Sequence, residues 1–333
     1  MNRTAIIAGA GGAVPPRIVT NHDLERRLDT TDDWIRTRTG IRQRHVVEPG
    51  MSTSDLAAEA GSRAMKQAGM TSADLVVVAT TTPDRLCPAT APTVASRMGL
   101  VDTPAFDVSA VCSGFIYALQ VATNAVMAGA AESVVVIGAE SFTTILDPED
   151  RSTVAIFGDG AGALALRAGD RAEDGAVLDF DTGSDGSLRD LITVRAGGAE
   201  QRATGRPAAP EDAYFRMEGQ SVFAHAVRRM AETSRRTLAT TGWGVEDVDW
   251  FVGHQANQRI IHAVADQLGI GAERAVSNIH RVGNTAAASI PLAISDSATA
   301  GRLRRGDRVL LSAFGGGATW GAATLVWPEL PAA

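Results

Sequence analysis

The sequence predicts an α/β fold assembled from two similar halves, and three observations lead there. Short apolar runs rich in Val recur at Leu75–Ala79, Val134–Ile137, Trp250–Val252 and Val309–Leu311, each bounded by Gly, Thr or Asp. Strands covered on both faces read this way. Helical patterns precede two of these runs: Ser54–Gln67 and Gln220–Ala239 carry apolar and small residues at helical spacing and run into Gly69 and Gly242, where a helix end favours glycine. Third, the chain repeats itself. AGMTSADLVVVATT (Ala68–Thr81) matches TGWGVEDVDWFVGH (Thr241–His254), with Gly69 on Gly242 and Asp74 on Asp247, 173 positions apart. The stretch that Cys112 opens matches one starting near Thr285, about 175 positions on. Two matches at nearly one separation indicate duplication.

Each half then reads as helix, strand, loop, helix, strand, with the halves joined around residues 167–180 and divided as 1–170 and 171–333. Alternating helices and buried strands predict mixed or largely parallel sheets with helical layers. Two such halves bring their strand-end loops together, a natural place for a shared site. The polar, Gly/Pro-rich stretch Ala196–Pro210 reads as an exposed loop.

Composition bounds the function. Of 333 residues, 45% are hydrophobic and 21% charged, with net charge −7, as in a soluble globular protein. No Lys/Arg block suggests a nucleic-acid groove. Met1–Gly12 reads as a strand rather than a signal peptide, and no run approaches the ~18 apolar residues of a membrane helix. Two cysteines, Cys87 and Cys112, exclude a disulfide framework and fit a reducing cytoplasm. The six histidines have no metal-ligand spacing, so no metal is expected. His22, His45 and His225 read as surface or helical positions.

Four motifs carry chemistry. In DVSAVCSGF (Asp107–Phe115) a short strand leads to Cys112 and then to an apolar helix. A helix N-terminus with free N–H groups favours a thiolate, although an isolated Cys is more often a small buried core residue. Cys87, beside Pro88, has no such helix behind it. In GHQANQRII (Gly253–Ile261) His254 ends the strand WFV, where α/β folds display functional groups; a structural His is the competing reading. In GNTAAASIP (Gly283–Pro291) Asn284 precedes a helix, a position that also suits an N-cap. In FGGGATWG (Phe314–Gly321) three glycines let the backbone approach another group and aim N–H groups at it. AGAGGAVPP (Ala8–Pro16) resembles a dinucleotide fingerprint, but such a fingerprint must open a helix. Pro15 and Pro16 forbid one, so no Rossmann cofactor is expected.

Together, Cys112, HQAN–R, GNT–ASIP and FGGG–TWG, in this order, closely resemble β-ketoacyl-[acyl-carrier-protein] synthase III of the thiolase-like superfamily. DDWIRTRTGI (Asp32–Ile41), DRSTVAIFGDGAGA (Asp150–Ala163) and MEGQSVF (Met217–Phe223) extend the resemblance along nearly the whole chain. It implies a thiolase-like five-layer αβαβα fold, a homodimer, and decarboxylative condensation of a short acyl-CoA with malonyl-acyl carrier protein to start fatty-acid synthesis, without a cofactor. It implies Cys112 as nucleophile, His254 and Asn284 as donors to the enolate oxygen, and the N–H groups of Cys112 and Gly316 as the oxyanion hole. Trp34, Arg38 and Arg151 match positions that hold the CoA nucleotide. Met217, Gly219, Ala256 and Asn257 match the pantetheine channel, Arg259 a carrier-protein docking arginine, and Cys87, Phe157 and Phe314 the acyl pocket.

The sequence departs from the family pattern at Cys87, where Phe is frequent, at Val111 and Ser113, where Ala is frequent, and at Gln220, which can be Asn. These departures leave open a priming ketosynthase or acyltransferase of a polyketide or similar pathway with a larger or branched starter. A thiol hydrolase also uses Cys, His and Asn, but leaves the FGGG and GNT motifs without a purpose. A non-catalytic dimer partner would not need the complete triad.

Overall fold

The computed structural model describes residues 2–331. Its strands are β1 (Arg3–Ala13), β2 (Ile18–Thr20), β3 (Gln43–His45), β4 (Leu75–Ala79), β5 (Ala105–Val108), β6 (Ser133–Glu140), β7 (Gly160–Asp170), β8 (Val177–Ser184), β9 (Ile192–Thr193), β10 (Arg216–Met217), β11 (Trp250–Gly253), β12 (Arg308–Gly315) and β13 (Thr319–Val326). Its α-helices are α1 (Asn21–Glu25), α2 (Asp32–Thr39), α3 (Thr53–Ala68), α4 (Ala91–Arg97), α5 (Gly114–Met127), α6 (Arg151–Val154), α7 (Ala199–Ala203), α8 (Gly219–Thr241), α9 (Gln258–Leu268), α10 (Ile279–Val282) and α11 (Ser289–Thr299). As the sequence predicts, α3 and α8 end at Gly69 and Gly242, both left-handed with φ of 65° and 78°, a conformation that costs glycine no Cβ clash.

Two main sheets form, ordered β1-β7-β6-β4-β5 and β11-β12-β13-β8. Both sheets are mixed: the Val-rich runs hold the parallel pairings, β4 with β5 and β6 and β11 with β12, while β1-β7-β6 and β12-β13-β8 pair antiparallel. Alternate residues of each run face opposite helices. Val76 and Val78 pack under Leu56, Ala60 and Ala64 of α3. Val77 and Val136 face inward on Phe115 and Leu119 of α5 and Ile290 and Ile294 of α11, which on their other side meet Val309, Leu311 and Leu325. Phe251 and Leu310 face outward to Met230 of α8 and Ile261 and Val264 of α9. The result is helix, sheet, helix, sheet, helix: the five-layer αβαβα arrangement. Strands buried on both faces need apolar residues at every position, hence continuous runs rather than alternation.

The repeat is visible element by element. β4, α5 and β6 start at 75, 114 and 133; β11, α11 and β12 start at 250, 289 and 308, each 175 later. The parallel partners Val77 and Val136, like Trp250 and Val309, are 59 positions apart. Gly69 and Gly242 differ by 173, so the connection into β11 is two residues longer. The first-half counterpart of His254 is therefore Ala79, not Thr81.

Three local expectations change. The Ala196–Pro210 segment is not all loop but contains α7. His45 is not a surface residue; it is buried in β3 with Nδ1 2.7 Å from the Pro15 carbonyl. The glycines of Ala8–Pro16 do not follow a strand; most of them are the strand β1. A Cβ on Gly9 or Gly11 would stand 2.2 Å from the carbonyl oxygen of Ala64 or Ala60, so this string serves the close approach of α3.

Candidate active site

Cys112 sits in the 3-10 turn Val111–Ser113 between β5 and α5. Its counterpart 175 residues on is the 3-10 turn Ala286–Ala288, between Asn284 and α11. Both turns open on the same strained backbone: Val111 has φ 46° and Ala286 φ 44°, in a left-handed region costly for residues with a Cβ. Such strain persists only where the surroundings over-determine it, and it clusters at functional sites.

The two turns meet. Cys112 and Ala286 share one buried cluster with Phe142, Leu146, Phe157 and Phe215, and the rings of Phe142 and Phe157 stack at 4.4 Å. The Ala286 N–H donates to Asn284 Oδ1 at 2.9 Å, which leaves Nδ2 as the free end of that amide. Asn284 is also strapped to the first half: its N–H donates to the Ile156 carbonyl and its carbonyl accepts from the Gly158 N–H, each at 3.0 Å.

His254 follows β11, its N–H donating to the Ser312 carbonyl at 2.8 Å. Its Nδ1 is 2.7 Å from Oγ of Ser289, and the Gln255 N–H points at the same Oγ at 3.3 Å. Among the hydrogen bonds of the described residues Nδ1 is the acceptor open to the Ser289 hydroxyl proton, and giving it there satisfies both groups. Nε2 then carries the ring proton. Burial pushes His254 down to about 3, so the imidazole is neutral, with Nε2–H as a donor.

Burial pushes the Cys112 thiol up, and the charge of Glu140 pushes it further; only the backbone N–H of Cys112 opposes them. The expectation that the helix end alone yields a thiolate is thus corrected. In a site this dry, desolvation outweighs the partial charge of one helix terminus. Glu140, at the end of β6, is fully buried and accepts from the Thr81 N–H, the Thr82 hydroxyl at 2.7 Å and the Ala287 N–H at 3.4 Å. Burial pushes it up to about 7, against those hydrogen bonds.

The glycine turn joins β12 to β13. Gly315 is the glycine closest to the nucleophile: a Cβ there would stand 2.7 Å from the Cys112 nitrogen. Gly316 lies instead against Ile192, with a Cβ position 3.0 Å from its Cγ2.

The other expected residues divide. Two guanidinium groups lie over the Trp34 ring, Arg38 at 5.1 Å and Arg151 at 5.5 Å from its centroid. Met217 packs against the Cys112 cluster. Gly219 opens α8 with free space around it. Ala256 packs on the α8–α9 core. Asn257 caps α9 through the Ile260 N–H at 2.9 Å, and Arg259 covers the ring of Phe223. Phe157 lines the Cys112 cluster, whereas Phe314 packs into the α8–α9 core. Cys87 is exposed. A cavity of about 740 Å³ opens beside Val111, lined by Thr81, Ser141, Ile145, Ile192, Val194 and Phe215 among others.

Sequence reasoning missed Ser289 and Glu140. Ser289 stands in the GNTAAASIP motif as one small residue among several, and only the fold shows that it reaches His254. Glu140 had a signal: an acid closing a buried apolar strand.

Residues 106–186 match the family model for 3-oxoacyl-[acyl-carrier-protein] synthase III, and residues 238–327 match that for its C-terminal part. The chain is 57% identical over 332 residues to β-ketoacyl-[acyl-carrier-protein] synthase III 5 of Streptomyces coelicolor, covering 100% of both. It is similar to the crystal structure of 3-oxoacyl-(acyl carrier protein) synthase III from Pseudomonas aeruginosa, with TM-score 0.92 and 47% identity over 98% of this chain and 99% of that one. It is also similar to the priming β-ketosynthase of a polyketide pathway, with TM-score 0.91 and 32% identity over 99% and 98%.

Proposed function

The chain belongs to the 3-oxoacyl-[acyl-carrier-protein] synthase III family, and from that premise we propose how its own residues carry the reaction. The reaction is decarboxylative Claisen condensation of an acyl-CoA starter with malonyl-acyl carrier protein, the step that initiates fatty-acid synthesis. The observation that carries the residue roles is the meeting of the two strained turns, one holding Cys112 and the other extending from Asn284 to Ser289, the partner of His254.

Cys112 attacks the acyl-CoA carbonyl; the bond from that carbon to the CoA sulfur breaks, and the thiol proton of Cys112 ends on the departing CoA sulfur, so that CoA leaves as a thiol. The N–H groups of Cys112 and Gly316 stabilise the tetrahedral oxyanion. Malonyl-acyl carrier protein then loses carbon dioxide. The electron pair of the broken C–C bond moves into the thioester, and negative charge grows on its oxygen. His254 Nε2–H and Asn284 Nδ2–H donate to that oxygen. A neutral imidazole whose other nitrogen already accepts a proton is a donor, not a base, which suits decarboxylation. The enolate carbon attacks the acyl-enzyme, the C–S bond to Cys112 breaks, and 3-oxoacyl-acyl carrier protein leaves.

Trp34 and the guanidinium groups of Arg38 and Arg151 beside it offer an aromatic surface and two positive charges to the CoA nucleotide. Met217, Gly219, Ala256 and Asn257 line the pantetheine path, and Arg259 meets the acidic carrier protein. Phe157 and the cavity beside Val111 hold the acyl chain. Cys87, exposed in one chain, reaches that pocket only in a second copy. The open edge strand β5, with Phe106 exposed, and Leu86 beside Cys87, 76% exposed, support such a homodimer. We assign the halves 1–170 and 171–333 and a cytoplasmic setting on the same reading. Among the described residues no helix is long and apolar enough to cross a membrane. Higher identity to the Streptomyces synthase than to the priming ketosynthase favours fatty-acid initiation over a secondary pathway.

Asn284→Asp tests the assignment, because it keeps the shape and removes the donor. Acylation of Cys112 by acyl-CoA should persist, read by mass spectrometry. Release of carbon dioxide from malonyl-acyl carrier protein should fall by about 100-fold or more. Undiminished decarboxylation would remove Asn284 from the mechanism.

A further inference from the structure

Glu140 is a buried carboxylate that the reaction above does not use. Among the described residues no Arg, Lys or His side chain bonds to it. Its donors come from both halves: Thr81 and Thr82 after β4, and Ala287 in the turn that follows Asn284.

The duplication says what this place is. At the separation of 175, Ala287 is the counterpart of Cys112, and Gly315 is the counterpart of Glu140. In the working turn a Cβ on Gly315 would stand 2.7 Å from the Cys112 nitrogen, so the absent side chain leaves that N–H open to a substrate oxyanion. In the second turn the equivalent strand end carries a side chain, and its carboxylate accepts from the equivalent N–H, that of Ala287. Glu140 thus stands where an oxyanion would stand if the second turn were the reactive one.

We propose that Glu140 is a positioning residue of the condensation site: it is a resident anion in the second half's relict of the oxyanion site, and from there it pins the Asn284 turn to the Thr81–Thr82 loop and faces the turn of Cys112. The proposal rests on the reading of Cys112 as the nucleophile. Glu140 reaches the Cys112 turn through Ala287, whose N–H it accepts and whose Cβ stands 3.6 Å from where a Cβ on Gly114, the residue following that turn, would be; Asp159 precedes Gly160, the strand partner of Glu140. Burial holds His254 neutral, and Asp159 is itself held by the N–H and hydroxyl of Thr143 and the Val47 N–H. Cys112 is the group whose ionisation the Glu140 charge opposes. Two negative charges this close in a dry site disfavour each other. Formation of the thiolate is therefore easier when Glu140 is protonated.

The test is the rate of iodoacetamide alkylation at Cys112 against pH, quantified on the Cys112 peptide by mass spectrometry so that Cys87 does not interfere. In the parent protein the rate should rise with pH less steeply than a single ionisation, because Glu140 ionises in the same range. In Glu140→Gln, alkylation at fixed pH should be about tenfold faster, the equivalent of one pH unit, and the curve should steepen to a single ionisation. Glu140→Asp, which keeps the charge, should stay slow. A parent curve of unit slope throughout, or Asp and Gln variants equally fast, overturns the proposal. The parent curve needs no variant to fold. Failure of acyl-CoA to load Cys112 would instead count against the assigned nucleophile, and the alkylation curve would still report on Glu140.

Discussion

The Nδ1 of His254 lies 2.7 Å from the hydroxyl of Ser289, and that hydroxyl is already an acceptor for the Gln255 N–H. Nδ1 is the acceptor open to the serine proton, and that pairing selects the imidazole tautomer. In Ser289→Ala the ring is free to place its proton on Nδ1, turning Nε2 into an acceptor. Decarboxylation of malonyl-acyl carrier protein should fall by roughly 10–100-fold, while loading of Cys112 from acyl-CoA changes little. Separate assays of the two half-reactions read the difference; equal loss in both would indicate general damage.

His254 also predicts a pH signature. Its folded value, about 3, lies below the ordinary 6.5, so the unfolded chain binds a proton that the folded chain does not. Stability conferred by neutral His254 is present above pH 6.5 and is lost as pH falls toward 3. The sign is opposite for Glu140, raised to about 7, and Asp159, raised to about 6, whose burial costs stability as pH rises through those values. Comparing the parent with His254→Asn isolates the histidine. Between pH 6.5 and 4 the variant should lose less unfolding free energy than the parent, by on the order of a few kcal/mol, as measured by urea titration at each pH. Parallel pH dependences would contradict a buried neutral imidazole.

Gly315→Ala should damage the nucleophile's turn without altering any reacting group. The new methyl would meet the Cys112 and Ser113 nitrogens at 2.7 and 2.9 Å and the Ala110 carbonyl at 3.1 Å. All three are backbone atoms, which cannot swing aside. Overpacking of this kind costs about 1–3 kcal/mol, and it narrows the space over the Cys112 N–H. Thermal unfolding should show the loss, and Cys112 acylation should slow more than CoA binding weakens. Gly316→Ala, whose methyl would meet Ile192 Cγ2, Cβ and carbonyl oxygen at the longer distances of 3.0, 3.1 and 3.2 Å, should unfold nearer the parent temperature.

Trp34→Ala removes the ring shared by Arg38 and Arg151. An exposed cation–π contact is worth about 0.5–1 kcal/mol, so the KM for acyl-CoA should rise by roughly fivefold, with kcat little changed. Steady-state kinetics with full acyl-CoA and with an acyl-pantetheine lacking the nucleotide distinguish the cause: the truncated substrate should not discriminate between parent and variant.

Much of this molecule was legible in its sequence because burial on both faces writes itself as unbroken apolar runs. Val76 to Val78 named a central strand, and Gly69 and Gly242 named two helix ends, without any knowledge of the fold. Cys112, His254 and Asn284 were legible by their settings at strand ends and helix starts. Ser289 and Glu140 were not, because their importance lies in distances of 2.7 Å to residues 35 and 58 positions away. Nor does local sequence show that Phe314 faces the outer helices while Phe157 faces Cys112, since strand parity is resolved only once the layers are in place. The helix end behind Cys112 suggested a thiolate because the cost of desolvation depends on neighbours that no local stretch contains.

The strap between Asn284 and the backbone of Ile156 and Gly158 bears on how the protein is made. A nascent chain leaves the ribosome N-terminus first, so Cys112 and the segment that will hold Asn284 are synthesised well before Asn284 exists. Until then the strap has no partner, and the thiol lacks the second turn that encloses it. The site must therefore assemble late in synthesis, after both halves are present. A chain cut between β7 and β8 would carry its nucleophile and still lack the place where its electrons are to go.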